Sequence, residues 1–260
     1  MHRISKWTLL IALGAAGISA AEPAGPDGPV VTFMGHPYAI SRGAEAFESI
    51  AFDPVHRELA SQGKIRDLCG TEISNGPTES PGLAWDPVTN TYWQITQQRA
   101  VRRWNRDVLV ETVFTIPEIF NVPGTGPDTL ESVRGIAVDE SYVYVVDAGP
   151  NSGEPASNAW FKFTRTGTPV KSSKSTDLVQ NLEAAPDALV DDIVRVPPTS
   201  PVAPGLFLIP LEHSGIQVID AEGMFVAKFR WNTQSLPSLV VPAAFTGLTI
   251  DPATGNLVLV

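Results

Sequence analysis

Five segments of this chain open on a polar or small residue and run into alternating apolar positions. The opening residues are the ones whose types could do chemistry. Glu48 begins "ESIAFDP", Pro81 "PGLAWDP", Arg134 "RGIAVDE", Asp191 "DDIVRVPP" and Thr246 "TGLTIDP". Glu79 and Glu131 stand just upstream of the second and third, and Asp192 follows Asp191. Brought to one axis, three or more of these carboxylates would suit a hard cation such as calcium, which takes about six to eight oxygen ligands. A cation held there could polarise an ester or lactone carbonyl as a Lewis acid. Arg134 would stand among the ligands, which favours a salt bridge instead, and solvated or ion-paired loop carboxylates are the plainer alternative. Glu79, Glu131, Arg134, Thr246 and His213, the histidine of "LEHSG", are expected to line the channel that such an axis creates.

Other chemistry is poorly provided for. His36, His56 and His213 fall in different segments, and none has a His or Cys partner at zinc-site spacing. There is no Gly-x-Ser-x-Gly elbow, phosphate-binding Gly-Lys-Ser/Thr loop or dinucleotide fingerprint. The recurring Asp53, Asp86, Asp139 and Asp251 read as turn formers, because an Asp side chain bonds backbone groups ahead of it. The lone cysteine, Cys69, reads as a packed thiol rather than a nucleophile.

The elements that must position these residues follow from the same repeats. Apolar alternation is the strand period, and "DPVTNT" and "DPATGN" have hairpin-turn chemistry. After three of the hairpins comes a second strand pair, at "RAVRRWNRDVLVETVFTI", "AWFKFTRTGTPVKSS" and "GIQVIDAEGMFVAKFRW". One repeat is thus a four-stranded antiparallel meander, and repeat starts lie about 35 to 60 residues apart, which brackets the propeller-blade period. A single sheet of this kind leaves an apolar face bare, so the sheets must stack around an axis. The fold class is all-β, a β-propeller with five recognisable units. A sandwich would also show many short strands, but it would not need the same Asp-turned hairpin in every unit. "GAEAFESIAFDPVHRELASQG" also admits a helical reading. Trp85, Trp93, Trp104, Trp160 and Trp231 fall at strand positions suited to packing between blades.

The last unit has only two strands. The strand-like "PVVTFMG" (29–35) could complete its outer side, as an N-terminal strand does in many propellers. An unpaired apolar edge is an aggregation hazard, so the expectation is a fragment of a longer, six-bladed ring.

Residues 1–21 have the layout of a secretory signal: His2, Arg3 and Lys6, then "WTLLIALGAAGI", then small residues before Glu22. Residues 22–29 form a Pro/Gly linker and 30–260 the propeller. The expected location is secreted or periplasmic, with no membrane span once the signal is removed. The net charge of −10 and the lack of a dense basic surface argue against nucleic acid. A small molecule or an extracellular or periplasmic protein is the expected partner. No cofactor is required by any motif, although calcium or another divalent cation remains open.

"GIAVDESYVYVVDAGPN…NAWFKFTRTGTPV" and "LFLIPLEHSGIQVIDAEGMFVAKF" resemble NHL-type blades. The same blade grammar occurs in the senescence-marker/gluconolactonase and paraoxonase-like lactonases and in strictosidine-synthase-like proteins. Resemblance to the lactonases implies that Glu48 is a metal ligand, although the usual Glu-Gly is Glu-Ser here. Asp147 and Asn158 are the nearest matches to the family's partner ligands, with Asp191 from the channel set. These motifs are structural and shared by many functions. The expected function is therefore a ligand- or protein-binding scaffold with recognition loops on one face, and the alternative is a calcium-dependent lactonase or esterase acting at the channel.

Overall fold

Successive side chains of a strand point to opposite faces, so a strand apolar on both faces must be covered on both sides. "YVYVVD" (Tyr142–Asp147) is such a strand: Val143 and Val145 pack into one hydrophobic cluster, Tyr144 and Val146 into another. A computed structural model describes residues 8–11, 37–41, 49–61, 63–78, 80–148, 159–174, 190–200, 203–211, 215–229, 247–255 and 257–259. It covers both faces by fanning the sheets around an axis.

Blade one is β3 (Ala51–Asp53), β4 (Glu58–Ser61), β5 (Lys64–Asp67) and β6 (Glu72–Asn75). Blade two is β7 (Gly82–Asp86), β8 (Thr91–Ile95), β9 (Ala100–Asn105) and β10 (Val108–Thr115). A two-stranded ribbon, β11 (Ile119–Val122) and β12 (Gly126–Thr129), leads to blade three, β13 (Val133–Val138), β14 (Tyr142–Asp147), β15 (Ala159–Thr164) and β16 (Pro169–Lys174). Blade four is β17 (Val194–Arg195), β18 (Phe207–Leu211), β19 (Gly215–Ile219) and β20 (Phe225–Phe229). Each is an antiparallel meander in chain order. Of the segment that also admitted a helix, residues 51–61 form strands β3 and β4 and the turn between them.

Blade five contains β21 (Leu248–Ile250) and β22 (Leu257–Leu259), and its other two strands come from the N-terminal side, where the sequence leads one to expect one strand, at 29–35, and an incomplete blade. The strands that fill it are β1 (Thr8–Ile11) and β2 (Pro37–Ser41), with Leu9 opposite Leu259 and Leu10 opposite Val258. Residues 29–35 lie outside the described residues. β1 falls within the run that reads as a signal peptide.

The inner strands β3, β7, β13, β17 and β21 touch in that order, and β21 touches β3 again, so the five close a ring. Among the described residues the core divides accordingly into five hydrophobic clusters, one per seam. Blades one and two share Ala51, Ile65, Leu83, Tyr92 and Trp104. Trp93 and Phe161 lie between two and three, Trp160 and Phe207 between three and four, Val218 and Leu257 between four and five, and Phe52 and Val258 between five and one. The buried tryptophans therefore pack between blades, as their strand positions imply. Trp231 lies outside the described residues.

Cys69 departs from expectation. It is exposed, because it sits in the β5–β6 turn, where its N–H donates to Asp67 Oδ1 at 2.9 Å.

Candidate functional site

Each inner strand has a start and an end, and the ring differs sharply between them. At the starts, neighbouring strands meet backbone to backbone. A Cβ on Gly82 would lie 2.7 Å from Ile136 N, and one on Gly135 would lie 2.6 Å from Asp192 Oδ1 and 2.7 Å from Ile193 N. Asp192 Oδ1 accepts from Ile193 N at 2.8 Å, and Oδ2 accepts from Leu248 N at 3.0 Å, which ties blade four to blade five. Burial pushes the Asp192 carboxyl well above the usual carboxylate range, against the opposing pull of those two N–H groups.

The expected acidic mouth belongs to this end. Glu48, Glu79, Asn158, His213 and Thr246 lie outside the described residues. Asp191 is buried, its N–H donating to Pro210 O at 3.3 Å. Asp147 Oδ2 accepts from Glu131 N at 2.8 Å and Ser132 N at 3.0 Å, so this carboxylate shapes the approach to β13. Glu131 is exposed and takes a hydrogen bond from Thr129 Oγ1. Arg134 is half-buried on β13, and its Nε is enclosed without an acceptor.

At the strand ends the ring opens into an axial cavity of about 410 Å³. Its walls are apolar and come from all five inner strands, among them Phe52, Leu83, Ala84, Val138, Val194 and Ile250. The rim is made by the turns that follow: Pro54, Pro87, Pro197 with Pro198, and Pro252, with Glu140 taking the proline's place in blade three. Beyond the rim, Val55 and Val88 are 61% and 54% exposed.

The repeat aspartates build this face, and they do more than turn the chain. As expected, Oδ1 of each accepts backbone N–H groups ahead of it: Val55 and His56 for Asp53, Val88 for Asp86, Ser141 and Tyr142 for Asp139, Ala253 for Asp251. The residue four after the Asp takes a left-handed conformation in three of these turns, at Arg57, Asn90 and Gly255, so the three share one geometry. Three of the same carboxylates also lock blades together. Arg57 Nη2 reaches Asp251 Oδ2 at 3.1 Å, and Arg195 Nε lies 4.0 Å from Asp139 Oδ2.

The strongest lock is Arg165 of blade three on Asp86 of blade two. Nη1 donates to Asp86 Oδ1 at 3.1 Å and to Asp139 O at 2.6 Å, Nη2 pairs with Asp86 Oδ2, and the guanidinium lies 4.7 Å over the Trp93 ring. Burial alone would raise the Asp86 pKa, but the hydrogen bonds from Arg165, Thr89 Oγ1 and Val88 N outweigh it and hold the carboxyl below its usual range. Such cross-blade arginines leave no periodic trace in sequence, so only the closed ring reveals them.

Blade one carries a variant of the turn. His56 Nδ1 lies 2.7 Å from Asp53 Oδ2, and ligand atoms of Asp53, His56 and Glu58 all lie within 4.8 Å of one another. Arg106 Nη1, from blade two, is 2.8 Å from Glu58 Oε2. Tyr92, fully buried on β8, has a hydroxyl with no hydrogen-bond partner. Burial, reinforced by the charges of Asp53 and Glu58, raises the pKa of that hydroxyl and keeps it protonated.

No family model and no curated protein sequence matches the chain. Among solved structures it is similar to the RRP9 WD40 repeats, at 11% identity and a TM-score of 0.47 over 86% of this chain and 76% of that one. A structure of U3-55K gives 12% identity and a TM-score of 0.48, over 89% of this chain and 80% of that one. A chain of a mitotic checkpoint complex gives 10% and 0.46, over 89% and 82%. The chain is a β-propeller by its own sheets and its closed ring. The resemblance to NHL-type and lactonase blades acquires no family match beside it.

Proposed function

We propose that this chain is an exported binding propeller that takes a small apolar ligand end-on into the axial cavity, from the face of the Asp turns. The cavity carries the reading. Ligand sites are typically concave, mostly apolar, about 300 to 1,000 Å³ in volume, and furnished with a few polar groups. Here the apolar walls come from a rigid ring, and Glu140, Asp139 and Arg195 supply the polar points. Asp139 is held in place by Tyr144 Oη, which donates to Oδ2 at 2.7 Å, and Arg195 lies against the Phe207 ring at 4.8 Å. Export is supported by the basic, apolar and small-residue layout of residues 1–21. Among the described residues, no helix is long and apolar enough to cross a membrane. The hydrolase alternative leans on Glu48 and Asn158, outside the described residues, and on Asp147, whose Oδ2 already takes two backbone N–H groups.

The test uses the neutral dye N-phenyl-1-naphthylamine. One saturable equivalent is expected, with affinity reduced about tenfold or more, worth ~1.4 kcal/mol, by Ala84→Phe and by Val194→Phe, which fill the cavity. Both variants should keep the wild-type far-UV spectrum. No saturable binding, or binding indifferent to both substitutions, would refute the proposal.

A further inference from the structure

We infer that Asp53, His56 and Glu58, at the seam of blades one and two, bind a divalent transition-metal ion such as zinc. Thr89 and Thr254 stand where His56 does in the matching turns of blades two and five. In blade two a threonine hydroxyl suffices, since Thr89 Oγ1 donates to Asp86 Oδ2. Blade one instead places an imidazole there, two residues before a mostly buried glutamate, which is more than the turn requires.

A second observation points to a ligand. Tyr92 is completely enclosed and its hydroxyl has no partner. The charged groups that bear on it are Asp53, Glu58 and Arg106, the members of this cluster. A buried hydroxyl left unsatisfied is destabilising. Repositioning a carboxylate onto a metal gives this donor an acceptor, the outer-shell hydrogen bond that orients ligands in metal sites.

The donor set fixes the class of ion. One imidazole with two carboxylates suits zinc and its first-row neighbours, whereas calcium prefers oxygen alone. Zinc–ligand bonds of roughly 2.0–2.2 Å put neighbouring ligand atoms about 3.3 Å apart, closer than the present spread. The His56 side chain is 52% exposed and can turn to close it. Arg106 is the competitor, because its guanidinium holds Glu58 Oε2 and neutralises the carboxylate that the ion would bind. Metal and Arg106 therefore compete for the charge of Glu58.

Calorimetric titration of the whole chain with zinc chloride, and separately with calcium chloride, tests the site. One equivalent of zinc should bind, with calcium far weaker. His56→Gln and Glu58→Gln should each abolish that equivalent, and Tyr92→Phe should weaken it about tenfold, as loss of an orienting partner does. Arg106→Gln should tighten it, an outcome that neither a turn-stabilising role for His56 nor adventitious binding elsewhere would give. His56→Gln changes a half-exposed ring, so it remains informative should Glu58→Gln fold poorly. Absence of zinc binding, zinc binding that survives His56→Gln, or preference for calcium would overturn the assignment.

Discussion

Replacing Arg165 by Met removes the cation that holds Asp86 and leaves its packing over Trp93 largely in place. The Asp86 carboxylate is fully buried, while the Arg165 side chain is 20% exposed. What remains after the substitution is a buried charge with two local donors, Val88 N and Thr89 Oγ1. Stripping one partner from a buried pair costs about 3 to 5 kcal/mol, and partial solvent access at the arginine places this case near the lower figure. For a domain of this size that is a fall in Tm of roughly 6–10 °C. The dependence on pH separates this mechanism from simple loss of packing. In the wild type the Asp86 pKa is lowered on folding, so its contribution is present above the unfolded value and is lost as pH falls through the folded one. Without Arg165, burial is opposed only by Val88 N and Thr89 Oγ1, so the folded pKa rises from its wild-type position. The mutant then gains less stability than the wild type as pH rises, and its deficit must grow from acid to neutral pH. Urea denaturation of both proteins between about pH 3.5 and 7 measures this. A deficit below ~1 kcal/mol, as for an exposed pair, or one constant across that range, would refute the account.

Gly135→Ala should cost about 3 kcal/mol or more, because the added Cβ meets backbone atoms of Asp192 and Ile193 as well as the hydrogen-bonded Asp192 Oδ1; a shift in denaturation midpoint reads it, and a neutral result would mean the inner strands can part. Cleavage before Glu22 and the pairing of Thr8–Ile11 with β22 exclude each other in one molecule. The intact mass of the exported chain should correspond to a start at Glu22, with rapid amide exchange along 257–259, whereas a retained N-terminus would refute the export signal.

Much of the frame was legible because each blade repeats its own physics. "GLAWDPVTNTYWQI" and "GLTIDPATGNLVLV" encode strand, turn and strand by alternation and by the same Asp bonds, and the structure builds both that way. The expectation of an N-terminal contribution to blade five came from an edge that needed a partner, but alternation alone could not choose among several short apolar runs. The functional end was harder to read. Glu48, Arg134 and Asp191 draw attention as charged residues before apolar strands, yet the cavity lies at the other end, where prolines and alanines mark nothing chemical. Its existence depends on how five strands taper around an axis, which no single segment encodes. The Asp53–His56–Glu58 group escaped for a related reason. Zinc-site spacing looks for pairs of His or Cys, and this cluster uses carboxylates that the turn and Arg106 also claim.

The contact between Phe52 N and Thr249 Oγ1 joins residues 197 positions apart. Closing a loop of that length costs about 5 kcal/mol in chain entropy, so blade one meets its second neighbour last. While the polypeptide is being made, the face bearing Ile50, Phe52 and Leu59 has nothing to lie against until Val258 emerges. The nascent chain therefore carries a sticky wedge through nearly all of its synthesis. Substitutions at that junction will register first as poor yield and inclusion bodies, before any change in the finished molecule is measurable.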